Sequence, residues 1–158
     1  MAGALERFEQ AVKEAGLSFD IRRFPSGTRT AADAARAVGC DIGQIVKSLV
    51  FVADGRAFLA LTSGENRADP ERLAGLLGAS EVRRASADQA KEATGFAIGG
   101  TPPFGHPQQL QVLVDRDLLG YDLLWAAAGT PDSVFSLTPD QLLAASGALV
   151  ADFKEDWS

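Results

Sequence analysis

Residues 45–62 read IVKSLVFVADGRAFLALT, and this stretch decides the fold class. From Ile45 to Ala53 the chain is dominated by β-branched and aromatic residues and is apolar on both faces, the pattern of a central strand. Asp54-Gly55 follows, a dipeptide that suits the two positive φ angles of a two-residue hairpin turn. Arg56 to Thr62 then reads as the antiparallel partner. Antiparallel strands can be joined by so short a turn and parallel ones cannot, so any sheet holding this hairpin is not purely parallel.

Working outward, Leu5, Phe8, Val12 and Ala15 share one helical face, and Gly16 is a natural stop. Ser18 to Phe24 reads as a strand and Pro25-Ser26-Gly27 as a turn. Thr30, with Asp33 three residues on, opens a helix over Ala31 to Val38, and Gly39 ends it. Beyond the hairpin, Asp69-Pro70 starts a helix that runs to Leu77, with Gly78 after it. Ser80 to Arg84 reads as a short strand, and Ser86 with Gln89 forms a capping-box pattern for the next helix. Phe96 to Ile98 reads as a short strand into a glycine–proline loop, and Leu110 to Asp115 as the strand leading out. Leu123 to Ala128 reads as extended, although its alanines also allow a helix, and Val134 to Leu137 as a strand; Thr138-Pro139 starts a last helix, and Leu149 to Phe153 reads as a final strand. Helices and strands are interspersed without a linker or repeat, so the expectation is one α/β domain over residues 1–158 with a mixed sheet.

Composition narrows the function. The net charge of −6 argues against a protein that coats duplex DNA, which carries a basic face. Arg22, Arg23 and Arg29, and the pair Arg83 and Arg84, read as solvated surface. There is no run of 18 apolar residues, so no membrane-spanning helix is expected, and Met1 to Arg7 lacks the pattern of a signal peptide. A single cysteine excludes an internal disulfide and points to the cytoplasm. One His and one Cys make a zinc site implausible, and no phosphate-loop, dinucleotide or nucleophile-elbow motif occurs. Asp115 and Asp117 have the spacing of a metal pair but lack the rest of a calcium loop; they read as polar residues at a strand end.

Two features carry chemistry. In an extended chain Lys47 shares a face with Ile45, Leu49 and Phe51, where an ammonium is costly unless it meets water or an anion. Either its head escapes at the strand end, or it faces a pocket as a point charge for phosphate or carboxylate. The second feature is residues 99–106, GGTPPFGH, which hold three glycines, two prolines and the only histidine. Glycine admits close backbone approach and proline stiffens the loop, so its N–H groups can bind an anion or an oxyanion. The plainer reading is a tight turn. His106 titrates near neutrality and suits a general base, but a loop histidine bonded to backbone is favoured. Cys40 reads as a small structural residue.

Taken together, residues 45–51 and 99–106 resemble the YbaK and prolyl-tRNA synthetase-associated editing domain family. Residues 28–35, TRTAADAA, and 125–130, WAAAGT, fit the same pattern, with order and spacing agreeing over nearly the whole chain. The resemblance implies a single domain with a mixed, strongly curved, barrel-like sheet surrounded by helices. It implies a free-standing aminoacyl-tRNA deacylase that hydrolyses the ester of a mischarged tRNA, often a wrong amino acid on the proline tRNA. The family lysine matches Lys47, which then holds a phosphate or the 3′-terminal adenosine; Gly100 and Thr101 supply N–H groups for the carbonyl oxygen. Substrate binding falls to Thr30, Ser48, Gly99, Pro102, Pro103, Phe104, Gly105, His106 and Gly129. Water, or the substrate's own ribose hydroxyl, does part of the chemistry, with no metal or cofactor. The partners implied are the 3′ end of aminoacyl-tRNA and a prolyl-tRNA synthetase or another synthetase, with no DNA and no membrane. Some members carry a different residue where this chain has Ser48, and the expected far wall, Ala126 to Thr130, is small enough to favour alanine, serine or cysteine. The alternative is a non-catalytic module that binds aminoacyl-tRNA 3′ ends or nucleotides.

Overall fold

The hairpin lies at the middle of the sheet. A computed structural model describes residues 3–24 and 30–156; the turn expected at Pro25-Ser26-Gly27, with Thr28 and Arg29, lies outside them. The described strands are β1 (Ile21–Arg23), β2 (Ile45–Ala53), β3 (Arg56–Ser63), β4 (Val82–Arg84), β5 (Gln111–Asp115), β6 (Leu124–Ala127), β7 (Ser133–Leu137) and β8 (Leu149–Ala151). They form one curled sheet in the order β1-β7-β6-β2-β3-β5-β8, with β4 attached to β2. β2 and β3 pair antiparallel from Val46↔Ser63 to Ala53↔Arg56. Asp54 at φ 48° and Gly55 at φ 86° make the turn, as the dipeptide requires. β2 runs parallel to β6, and β3–β5 and β5–β8 are also parallel, so the sheet is mixed.

Helices cover both faces. They are α1 (Ala4–Glu14), α2 (Ala31–Val38), α3 (Pro70–Leu77), α4 (Ala87–Thr94) and α5 (Pro139–Ser146). Side-chain oxygens start four of them: Thr30 accepts the Asp33 N–H at 3.0 Å, Asp69 that of Glu71 at 2.9 Å, Ser86 that of Gln89 at 3.1 Å and Thr138 that of Gln141 at 3.2 Å. Val46, Val50 and Val52 of β2 pack into a core with Phe8 and Val12 of α1, Ala90 of α4 and Leu142 of α5. The opposite face is covered in two parts. Phe51 meets Phe58, Leu73 of α3 and Phe153, while Ile45 meets Ala34 and Ala35 of α2 together with Trp125. Burial on both faces is why β2 reads as an almost unbroken apolar run.

Three expected strands differ. Phe96 to Ile98 is not a strand, because Thr94 Oγ1 accepts the Phe96 N–H at 3.1 Å and turns the chain as it leaves α4. Its apolar character comes from a buried turn, with Phe96 in the core. β1 and β8 are shorter than the alternation suggests. Beyond β8 the Phe153 ring enters the core and its carbonyl accepts the Asp69 N–H at 2.7 Å, so the chain end caps the start of α3 and leaves the sheet. No helix among the described residues is long and apolar enough to cross a membrane.

Candidate functional site

The site begins as a break in the hydrogen-bond ladder of β2. Gly64 N–H donates to the Ile45 carbonyl at 2.8 Å. With the observed register, this directs the main-chain groups of Lys47, Leu49 and Phe51 toward β3 and those of Val46, Ser48, Val50 and Val52 toward the other edge. On that other edge β6 pairs only as far as Val46↔Ala126. β4 begins at Phe51↔Arg84, and Ala85 N–H adds one bond to the Val50 carbonyl at 3.0 Å. There the chain turns at Ser86 into α4, so Ser48 is left between two strands that pair with its neighbours.

A cleft of about 500 Å³ opens through this break. Lys47 and Leu49 line it from one face of β2, with Thr30, Ala31, Ala34 and Trp125. Val46, Ser48 and Val50 line it from the other, with Ala85, Ala90 and Ala126. Ile98, Gly99 and Thr101 also contribute.

Lys47 is half-buried, and its ammonium donates to the Asn66 carbonyl at 2.5 Å. Asn66 is itself buried and fixed: its Nδ2 donates to Asp115 Oδ2 and to Asp117 Oδ2, each at 2.8 Å. Asp115, only 1% exposed, also accepts the Ser63 N–H at 3.1 Å and the Asp117 N–H at 3.0 Å. Lys154 donates to Asp117 at 2.7 Å, and this bond, followed by that from Asn66, holds the Asp117 carboxyl below its ordinary range. Burial is the main cause that lowers the Lys47 pKa; repulsion from Arg67 and Arg84 adds to it, and Asp115 opposes it. Lys47 is thus a cation held in place at the cleft, and its head does not simply escape to water.

The glycine–proline loop divides between lining and support. Gly99 and Thr101 line the cleft. Gly100 N–H donates to the Ala97 carbonyl at 3.0 Å, so it closes a turn and is not free to meet a ligand. Thr101 Oγ1 also donates to that carbonyl, at 3.1 Å, whereas the Thr101 N–H has no acceptor among the described residues. A Cβ on Gly100 would lie 2.8 Å from the Gly129 carbonyl oxygen, and one on Gly129 would lie 2.7 Å from that of Ala4. These two glycines let backbones touch, and that contact sets the loop beside β6. Pro102 and Pro103 are buried, and Phe104 packs in the core with ring centroids 5.4 Å from Phe8 and 5.9 Å from Phe135. Gly105, at φ 86°, sits against Ala11. His106 Nε2 bonds the Pro102 carbonyl at 2.8 Å, and its ring meets the Phe96 ring edge-on. Burial pushes the His106 imidazole below its ordinary pKa, and the Pro102 bond opposes that shift. The structure therefore brings Thr30, Lys47, Ser48, Gly99 and Thr101 to one cleft, and places Gly100, Pro102, Pro103, Phe104, Gly105, His106 and Gly129 outside its lining.

Some lining residues escape a reading of the sequence. Arg84, expected on solvated surface, lines the cleft with its guanidinium 5.4 Å from the Phe51 ring centroid. Its neighbour Arg83 turns the other way and reaches Gln89 at 3.1 Å. Strand alternation after Val82 was the available signal. Trp125 lines the cleft beneath Arg22, which stacks 5.1 Å from it. Ser48 Oγ is buried without a hydrogen-bond partner among the described residues. Cys40 Sγ donates to the Asp41 carbonyl at 3.3 Å, and burial raises its thiol pKa, which suits a structural residue.

The aminoacyl-tRNA editing domain family profile matches residues 25–145. The uncharacterized protein YwhH of Bacillus subtilis (strain 168) is 30% identical over 140 residues, covering 87% of this chain and 88% of that protein. The proline–tRNA ligase of Maridesulfovibrio salexigens is 31% identical over 93 residues, 59% of this chain but only 16% of the ligase. A crystal structure described as a candidate trans-editing enzyme for prolyl tRNA synthetase superposes with a TM-score of 0.92 at 46% identity, covering 99% of each chain.

Proposed function

The chain belongs to the aminoacyl-tRNA editing domain family, and from that premise we propose that it is a trans-editing hydrolase, a single domain over residues 1–158, which deacylates mischarged tRNA. The observation that carries this reading is the cleft through the broken ladder, whose lining joins the Lys47 cation to Gly99 and Thr101. Lys47 anchors a phosphate or the terminal adenosine of the 3′ end as a point charge. The Thr101 N–H donates to the ester carbonyl oxygen as it becomes an oxyanion. A water oxygen adds to the carbonyl carbon, the bond to the ribose oxygen breaks, and that oxygen takes a proton, which leaves free amino acid and tRNA. An ester is reactive enough that positioning and oxyanion stabilisation supply the catalysis, with one such donor worth ~10²–10³ in rate.

Of the expected far wall, Ala126 and Ala127 line the cleft and Ala128 to Thr130 do not; Ala126 with Ala85 and Ala90 forms a small, apolar wall, which favours alanine, serine or cysteine on the proline tRNA. One methylene changes discrimination by only ~1–3 kcal/mol, so the preference among these is graded. The acidic chain, at net charge −6, grips the tRNA terminus in the cytoplasm with salt-sensitive affinity and works beside a synthetase. The test is release of amino acid from alanyl, seryl, cysteinyl and threonyl esters on proline tRNA and on other tRNAs. Release from small esters on proline tRNA is expected. Binding of these tRNAs without any release would replace the hydrolase by a non-catalytic module.

A further inference from the structure

Among the described residues, the gap in the β2 ladder leaves three polar groups of one residue without partners. The parity of the β2–β3 register turns the Ser48 N–H and carbonyl away from β3. Pairing with β6 stops at Val46, and pairing with β4 resumes at the Val50 carbonyl. The third group is the buried Ser48 hydroxyl, which has no partner among the described residues. All three belong to a residue that lines the cleft. Unpartnered polar groups at the centre of a sheet are costly unless something completes them.

An outward-facing strand residue presents a donor and an acceptor side by side, and the matching ligand presents an acceptor and a donor at the same spacing. An aminoacyl ester does so through its carbonyl oxygen and its α-ammonium. We propose that Ser48 docks the aminoacyl group as a one-residue strand: its N–H donates to the ester carbonyl oxygen and its carbonyl accepts from the α-ammonium. This rests on the deacylase reading and deepens it. The Ser48 hydroxyl provides a second acceptor for the ammonium, and the Ser48 N–H joins that of Thr101 at the developing oxyanion. Recognition at this position ignores the amino-acid side chain and favours a free amine: an ammonium gives a proton to both the Ser48 carbonyl and the Ser48 hydroxyl, whereas an acylated nitrogen keeps a single N–H and puts its acyl group where the second bond would form. Esters with an acylated amine, the chemistry of peptidyl-tRNA, are therefore poorer substrates.

The test uses the full chain with alanyl and N-acetylalanyl esters of proline tRNA, together with the Ser48→Ala and Ser48→Pro variants. Proline removes the N–H, which has no partner in the sheet, whereas alanine removes only the hydroxyl. The N-acetyl ester is expected to react at least ~10-fold more slowly, and Ser48→Pro to fall ~10-fold or more below Ser48→Ala. A second readout needs no catalysis and no variant. The Ser48 amide resonance should shift with alanyl-3′-amino-3′-deoxyadenosine, which is resistant to hydrolysis, at concentrations at least ~10-fold lower than with its N-acetyl form. Equal rates for the two esters, or a stationary Ser48 amide while that of Thr101 moves, would overturn the assignment. If the wild type releases no amino acid from any ester, the hydrolase reading fails, and the amide shift still decides the role of Ser48.

Discussion

Replacing Lys47 by methionine should separate stability from activity. The substitution keeps the stem that packs on β2 and removes only the ammonium. Two effects of opposite sign then act on the fold. The charge-assisted bond to the Asn66 carbonyl is lost, worth ~1.5–3 kcal/mol. The half-buried cation no longer has to be desolvated or held near Arg67 and Arg84, which offsets part of that loss, screened by solvent at the cleft. The net change should stay within about 1 kcal/mol, or ~2–4 °C in melting temperature for a chain of this length. Activity has no such compensation: kcat/KM for an alanyl ester should drop ~10²-fold once the substrate's anion loses its counter-charge. The pH dependence gives a second check. The folded-state pKa of Lys47 is lowered, so between that value and the ordinary 10.5 the unfolded chain binds more protons than the native one. Wild-type stability should therefore rise relative to Lys47→Met as pH increases through that window. Calorimetry and a single-turnover deacylation assay measure the two sides. A melting temperature lower by more than ~8 °C with deacylation within about twofold of wild type would make Lys47 structural and refute the reasoning.

Gly100→Ala should destabilise by ~1–3 kcal/mol in urea titrations, because its Cβ meets two backbone groups, the Gly129 carbonyl oxygen at 2.8 Å and Thr130 Cα at 2.9 Å; an unchanged midpoint would mean that the loops are not in contact. Asp115→Ala strips the acceptor from Ser63 N–H, Asn66 Nδ2 and Asp117 N–H and should cost ~3–5 kcal/mol by equilibrium unfolding, with a deacylation defect in whatever remains folded. Burial lowers the folded-state pKa of His106, so below the ordinary 6.5 the unfolded chain gains a proton that the native state refuses. Wild-type stability should fall as pH drops through that range, and His106→Phe should lose less of it; parallel pH–stability curves would contradict this.

Much of the architecture is legible because local chemistry and burial agree. The limits of β2, the Asp54-Gly55 turn and the starts of α2 to α5 follow from a strand period, two positive-φ positions and four capping residues. Phe96 misleads because an aromatic buried in a turn looks like one buried in a strand. Within the site, Lys47 stands out as a charge in an apolar run, and Gly99 and Thr101 as part of a stiff loop. Phe104, Gly105 and His106 share that loop but serve the packing against α1 and the Pro102 carbonyl, a role set by contacts with Phe8 and Ala11 about a hundred residues away in sequence. The role of Ser48 is not visible in its own surroundings at all. It depends on where β6 and β4 stop pairing, and no local pattern in either strand encodes the position of the other.

An opening framed by two paired strands has an evolutionary asymmetry. Its width is set by the β2–β6 and β2–β4 ladders, so opening it further breaks hydrogen bonds of the sheet. Residues that project into it, Ala85, Ala90 and Ala126, are already minimal. Single substitutions there can readily narrow what the cleft admits. Widening it demands alanine to glycine, at ~0.5–1 kcal/mol each in regular structure, or truncation of Val46 or Val50, which also pack in the core and are costlier to shorten. Variation of this frame should therefore drift toward smaller amino acids far more easily than toward larger ones.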